Sequence, residues 1–131
     1  MGEELVAGIG LGLCILVGVA HVDTEDEATE LAWKLARLRI FSNEEGKFDR
    51  SVLDVHGDVL VVSQFTLIAD TTKGNRPSFA GAASPDQAER LYELVIEQLR
   101  NEELRVESGR FGASMQVELC NDGPVTVTLE T

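Results

Sequence analysis

The chain has 131 residues, 44% hydrophobic and 26% charged, with a formal net charge of −12. That length holds one core and is too short for two, and no apolar run reaches the roughly 20 residues that a membrane-spanning helix needs. The acidic balance repels a polyanion, so wrapping of DNA or long RNA is disfavoured and only a local contact with one RNA end is expected.

In chain order, Glu3 to Ile9 carries Leu5, Ala7 and Ile9 in alternation and is punctuated by glycines, which predicts a short strand and a tight turn into a buried strand at Leu13–Val19. The two would form a hairpin. Leu11 to Ala20 is the longest apolar stretch, but Gly12 and Gly18 interrupt it and no basic flank marks a signal peptide. A cytoplasmic location is expected. Thr24-Glu-Asp-Glu27 has the form of a capping box, opening a helix to about Arg39 that buries Ala28, Leu31, Leu35 and Leu38. Trp33 lies off that stripe and reads as a rim aromatic rather than a stacking platform.

Ile40 to Phe48 predicts two short extended pieces around an Asn/Gly turn. After a turn at Gly57, Val59 to Leu67 begins as a β-branched apolar run and then delivers Ser63, Gln64 and Thr66 around Phe65 with no turn signal between them. Polar side chains at the end of a core strand either cap a neighbouring loop or face a cleft, because burying them unpaired costs about 1–3 kcal/mol each. Ala69 to Ser84 is a long loop, functional or simply mobile, with its cations in Lys73-Gly-Asn-Arg76. Ser84-Pro-Asp-Gln87 supplies an N-cap, a proline at the first helical position and a capping-box glutamine, opening a second helix to about Asn101 with Leu91, Val95 and Leu99 on one face. Leu104–Glu107, a turn at Gly109–Gly112, strands at Ser114–Cys120 and Val125–Leu129, and a turn at Asn121–Pro124 complete the order. The pattern predicts an α/β (α+β) fold, a single layered domain over 1–131 with a mostly antiparallel or mixed sheet and two helices.

Familiar nucleophile arrangements find little support. His21 and His56 stand in segments that cannot be placed beside Ser63, and Cys14 and Cys120 fall in apolar strands. There is no Cys/His cluster, so no metal and no cofactor is expected. An enzyme built from this chain would rely on positioned backbone N–H groups and a nucleophile or base supplied by its substrate, and an activated ester suits that chemistry. Gly123-Pro124 either joins strands or, through a proline that admits a cis bond and a glycine open to approach, presents two carbonyls to a ligand.

Ser63-Gln-Phe-Thr66 and Gly123-Pro-Val-Thr126 together resemble the paired signatures of the D-aminoacyl-tRNA deacylase (D-tyrosyl-tRNA deacylase) family. Leu13–Val19, Leu38–Phe41, Lys73–Phe79 and Gly109–Val117 are similar to the same family, so the likeness covers nearly the whole chain. The resemblance implies hydrolysis of the ester of D-aminoacyl-tRNA as proofreading, with the aminoacylated 3′ end of tRNA as partner. It implies a homodimer in which Gly123 and Pro124, joined by a cis bond, enter the other subunit's site and reject L-aminoacyl groups. Ser63, Gln64, Phe65 and Thr66 would be the catalytic segment, with the Phe65 and Thr66 backbone near the oxyanion. Thr126, Met115 and Arg76 would join the substrate-binding set. Either Thr66 as a nucleophile or the RNA 2′-hydroxyl would drive hydrolysis, and the missing base agrees better with RNA-assisted hydrolysis. Family members start with a further strand carrying an arginine; here Met1-Gly2 stands where that strand would have ended, so it is expected to be missing and a sheet edge exposed. The alternative is a non-catalytic module of the same fold that captures an RNA end or a small polar ligand.

Overall fold

The computed structural model describes residues 5–131. In chain order its elements are β1 (Gly12–Val17), α1 (Glu25–Arg37), β2 (Phe41–Ser42), β3 (Phe48–Arg50), β4 (Asp58–Ser63), a 3₁₀ turn (Phe65–Leu67), α2 (Pro85–Asn101) and β5 (Val106–Ser108). β4 is the middle strand of a three-stranded sheet, with β1 and β5 parallel to it on either side. The register sets Gly12 opposite Asp58, Val17 opposite Ser63 and Val59 opposite Val106. Parallel neighbours require long crossovers; α1 and α2 supply them. β2 and β3 form a separate antiparallel pair, so parallel and antiparallel pairing both occur.

β4 is the continuous apolar run of the sequence because both of its faces are covered, as parallel strands require. Val59 and Val61 are wholly buried and Val62 nearly so. Val59 and Val61 belong to one core with Ile15, Val17, Ala32, Leu35, Ala36, Leu91, Tyr92, Val95, Ile96 and Leu99. Tyr92, 1% exposed, donates its hydroxyl proton to the Val61 carbonyl at 2.9 Å. Burial pushes its phenol pKa up, which keeps it a neutral donor.

Both helices start where the caps predict. Thr24 accepts from the Asp26 amide and Glu27 reaches back to the Thr24 amide at 2.8 Å, completing the box. The Ser84 hydroxyl accepts from the Gln87 amide, but the Gln87 side chain does not return to Ser84. It donates instead to the carbonyls of His21 and Asp23, at 3.2 and 2.9 Å, tying the start of α2 to the entry of α1. At the other end Arg37 forms a two-pronged pair with Glu102 at 3.0 and 2.8 Å while stacking over Trp33. Trp33 is therefore a more exposed aromatic than a rim position implies, with an arginine already on its face.

Three sequence expectations are corrected. The hairpin between Glu3–Ile9 and Leu13–Val19 does not form: residues 5–9 carry no strand, Glu3 and Glu4 lie outside the described residues, and β1 spends its ladder on β4. The strand at Val59–Leu67 stops at Ser63 and turns into the 3₁₀ segment. Ser114–Cys120 and Val125–Leu129 have no ladder among the described residues, although Phe111, Ala113 and Met115 keep the inward alternation of a strand. Alternation fixes the direction of side chains, but a strand also needs a partner for its amides.

Leu99 is wholly buried against both helices' core, so Leu99→Ala is expected to cost about 2–5 kcal/mol of unfolding free energy in urea titration. Glu27 is held below the ordinary carboxylate pKa, first by the Thr24 hydroxyl and then by backbone N–H groups. A depressed folded pKa contributes stability that is present above the unfolded value and disappears as pH falls through the folded one. The melting temperature of Glu27→Gln should therefore lie below that of the unaltered protein at neutral pH, and the gap should close as acid protonates Glu27; a gap independent of pH would contradict this.

Candidate functional site

The site grows from the end of β4. Its last amides are held by β1: the Gln64 N–H donates to the Val17 carbonyl at 2.8 Å. The chain then tightens, with the Leu67 amide donating to the Gln64 carbonyl at 3.2 Å and the Ile68 amide to the Phe65 carbonyl at 3.0 Å. A 3₁₀ turn leaves its first N–H groups without internal partners, and the Phe65 and Thr66 amides have no acceptor among the described residues. Phe65 is 57% exposed, Thr66 is also exposed, and Ser63 and Gln64 are half-buried. The strand end thus delivers two adjacent free donors to solvent.

The side chains around these amides hold the turn. The Gln64 amide group donates to the Thr66 hydroxyl across it. Gly18, just past β1, lies so close that a Cβ there would meet Leu67 Cβ at 3.0 Å and the Gln64 carbonyl at 3.2 Å. The glycine read as an interruption of a strand is a point of close backbone approach, the meaning a strand glycine often has. Phe79 packs edge-on against Phe65, with centroids 5.2 Å apart and planes at 74°, a favoured aromatic geometry. Neither Gly18 nor Phe79 was singled out as a site residue in the sequence; the signals available were the strand glycine and the aromatic closing the Lys73–Phe79 segment.

Met115 is half-buried, and its thioether lies 3.1 Å from where a Gly109 Cβ would be, a point 4.0 Å from Val62. It therefore sits beside the strand residue preceding Ser63. Arg76 is exposed in the loop that ends at Phe79. Gly123, Pro124 and Thr126 are exposed too, and no hydrogen bond among the described residues joins them to the 63–66 turn. The Gly123-Pro124 peptide is cis, and Gly123 has φ +137°. Asn121 staples this segment: its side-chain oxygen accepts from the Val125 amide and its side-chain nitrogen donates to the Thr126 hydroxyl, both at 2.9 Å.

Conventional nucleophilic machinery is not assembled on this turn. His21 places Nδ1 3.0 Å from the Gly81 carbonyl, and His56 occupies a left-handed conformation before Gly57; neither bonds to Ser63. Cys14 and Cys120 are exposed rather than buried in strands, and partial desolvation holds the Cys14 thiol above its usual pKa, away from the reactive thiolate. Among the described residues no group of three or more His, Cys, Asp or Glu could hold a metal ion, and no helix is long and apolar enough to cross a membrane.

The central strand of a parallel sheet thus ends in two acceptor-free amides, donors of the kind a negative charge can engage. The family model described as D-Tyr-tRNA(Tyr) deacylase matches residues 1–130. A D-aminoacyl-tRNA deacylase of Idiomarina loihiensis is 56% identical over 130 residues, which are 99% of this chain and 90% of the relative. One of Bacillus cereus is 56% identical over 128 residues, 98% of this chain and 88% of the relative. The solved structure of a c-Myc DNA Unwinding Element Binding Protein superposes with a TM-score of 0.92 at 44% identity, covering 99% of this chain and 89% of that one. That of a probable eukaryotic D-amino acid tRNA deacylase gives 0.67 at 19% identity, over 81% and 77% of the two chains, and shows the fold alone. This chain belongs to the D-Tyr-tRNA(Tyr) deacylase family.

Because Asn121 supplies both side-chain links across the 121–126 segment, Asn121→Ala should accelerate hydrogen exchange of the Val125 amide at least tenfold while leaving Val61 protected; unchanged exchange at Val125 would refute the staple.

Proposed function

We propose that the protein is a D-aminoacyl-tRNA deacylase that hydrolyses the ester between a D-amino acid and the 3′ end of tRNA, releasing free D-amino acid and tRNA as proofreading in the cytoplasm. Family membership over essentially the whole chain gives the reaction class. The observation that carries the mechanism is the pair of unpartnered amides at Phe65 and Thr66 on an exposed turn. Two such donors suit the oxyanion of the tetrahedral intermediate, and removal of one oxyanion donor typically costs on the order of 3–4 kcal/mol of transition-state stabilisation.

No histidine or thiolate among the described residues is joined to the turn, so the attacking oxygen is that of a water and its activation comes from the substrate side. The vicinal 2′-hydroxyl of the terminal ribose, placed by the same binding that places the ester, takes a proton from that water as its oxygen bonds to the carbonyl carbon and passes its own proton to the 3′-oxygen as the ester bond breaks, an arrangement in which positioning lowers much of the barrier. Thr66 then serves through its backbone and through its hydroxyl's contact with Gln64 rather than as a nucleophile. Ser63 and Met115 line the strand end where the aminoacyl group would lie.

Discrimination between D and L forms is assigned to Gly123 and Pro124 of a second copy in a homodimer, with Thr126 behind them. Three features support this reading: the segment is exposed, its backbone is held by Asn121, and it makes no hydrogen bond to the turn of its own chain. Val117, Leu119 and Val127, at 38%, 59% and 50% exposure, leave apolar side chains on the flanking chain for a partner to cover. The charge of −12 confines the nucleic acid to the RNA end and disfavours duplex DNA as a ligand.

The direct test is release of labelled tyrosine from charged tRNA: D-tyrosyl-tRNA is hydrolysed and L-tyrosyl-tRNA is not, and a charged tRNA whose terminal ribose lacks the 2′-hydroxyl reacts at least a hundredfold more slowly. Equal rates on the two enantiomers would reject proofreading; full rate without the hydroxyl would reject RNA-assisted hydrolysis. A Cβ at Gly123 would meet Val125 Cγ2 at 2.9 Å in a backbone conformation that side chains avoid. Gly123→Ala should therefore displace the segment and lower the D/L rate ratio at least tenfold with little change in melting temperature, and an unaltered ratio in the folded variant would remove this segment from discrimination.

A further inference from the structure

The loop between the 3₁₀ turn and α2 is a closed, anchored element. Asp70 and Ser78 exchange both backbone hydrogen bonds, at 2.7 and 2.8 Å, which pinches the loop at its neck. Its far end is stitched to the exit of β1: Ala83 donates to the Val19 carbonyl and His21 to the Gly81 carbonyl, each at 2.9 Å. Phe79, one residue beyond the neck, rests on Phe65, so the loop is seated directly on the turn that carries the free amides.

The charge of this loop differs from that of the remaining molecule. Between the neck residues and Phe79 the sequence holds Lys73 and Arg76 and no carboxylate. Asp70, at the neck, turns its Oδ1 onto the Thr72 hydroxyl and amide at 2.6 and 2.9 Å, which depresses its pKa and engages it locally. Elsewhere Lys34 is answered by Glu30, Arg37 by Glu102, Arg39 by Asp49, Arg90 by Glu25, and Arg105 by Asp58 and Glu107, while Lys47 and Arg50, which lack an ion pair among the described residues, stand close to carboxylates in the sequence. Lys73 and Arg76 are exposed and have no ion pair among the described residues. Two unanswered cations on a pinned tip, in a chain of net charge −12, make a local anion-binding surface where the field of the whole protein is otherwise repulsive.

We infer that the 70–78 loop is a phosphate clasp: Lys73 and Arg76 grip the sugar–phosphate backbone of the single-stranded RNA 3′ end and so set the terminal ribose against the Phe65–Thr66 amides. This rests on the proposed function for its ligand. Arg supplies a planar fork that matches two phosphate oxygens and Lys a point charge. Both belong to a loop that is closed at its neck and abuts the site through Phe79, so gripping the backbone also orients the ester. The clasp reads no base, and its contribution is salt-dependent.

The test is binding of a short RNA hairpin with a single-stranded 3′ end, carrying D-tyrosine through a non-hydrolysable amide, measured by anisotropy across a salt series with the full-length protein. Each phosphate neutralised on a single strand contributes about 0.7 to the slope of log affinity against log salt. The double variant Lys73→Gln/Arg76→Gln should reduce the magnitude of that slope by about 1.4, the sum of two such contacts. It should also lose at least five times more affinity for the RNA than for the phosphate-free D-tyrosyl-adenosine amide, while Lys73→Arg keeps the slope of the unaltered protein. An unchanged slope in the folded double variant overturns the clasp, and so does an equal loss on RNA and nucleoside, which would place Arg76 at the aminoacyl group instead. Turnover of D-tyrosyl-tRNA is read separately: its absence beside an intact slope rejects the hydrolase reading and leaves the clasp standing.

Discussion

The fold depends on one strand that has to satisfy two incompatible solvents. Over Val59 to Val62, β4 is flanked by parallel partners, with Val59, Val61 and Val62 buried and Leu60 half-buried. One residue later the ladder to β1 ends with Ser63, and the chain enters a tight turn whose first amides have nothing to bond. The same rigidity that buries the strand fixes the direction of those amides, because β1, β5 and Tyr92 all hold β4 within a few residues of the turn.

That constraint explains why the surrounding side chains look passive. Gln64 and Thr66 bond to each other, Phe65 leans on Phe79, and Gly18 makes way for Leu67. Each maintains a backbone shape. A site of this kind works by preorganised dipoles, which need no reorganisation as charge develops, and it places its demands on packing rather than on an unusual acid or base. The surface charge fits the same economy: carboxylates cover the helices, while the cations without ion pairs include those of the loop seated on the turn.

Both helices were legible in the sequence because their caps are local: Thr24 with Glu27, and Ser84 followed by Pro85, act within one turn of chain. β4 was legible because a buried parallel strand writes an uninterrupted apolar run. What the residues hid was pairing. Nothing in Leu13–Val17 says whether its partner is the preceding segment or β4, since either satisfies the same amides and the choice is made by the crossover through α1. The C-terminal segments show the reverse case, alternation without a ladder among the described residues. The two signatures drew attention to Ser63–Thr66 and Gly123–Thr126, but the 3₁₀ geometry that frees two amides is a property of how β4 ends, and Gln87 shows how a residue with the right motif finds its partner in another element.

The exposed 3₁₀ turn has a consequence for how such a protein tolerates change. The atoms to which the proposed function assigns the work are amide hydrogens, which every amino acid but one provides, so shortening the side chain at 65 or 66 removes packing and leaves the donors in place. Only an imino acid deletes them. The genetic footprint of this turn is therefore a ban on proline and on whatever bends the backbone, and a screen that hunts for indispensable side-chain groups would pass over it.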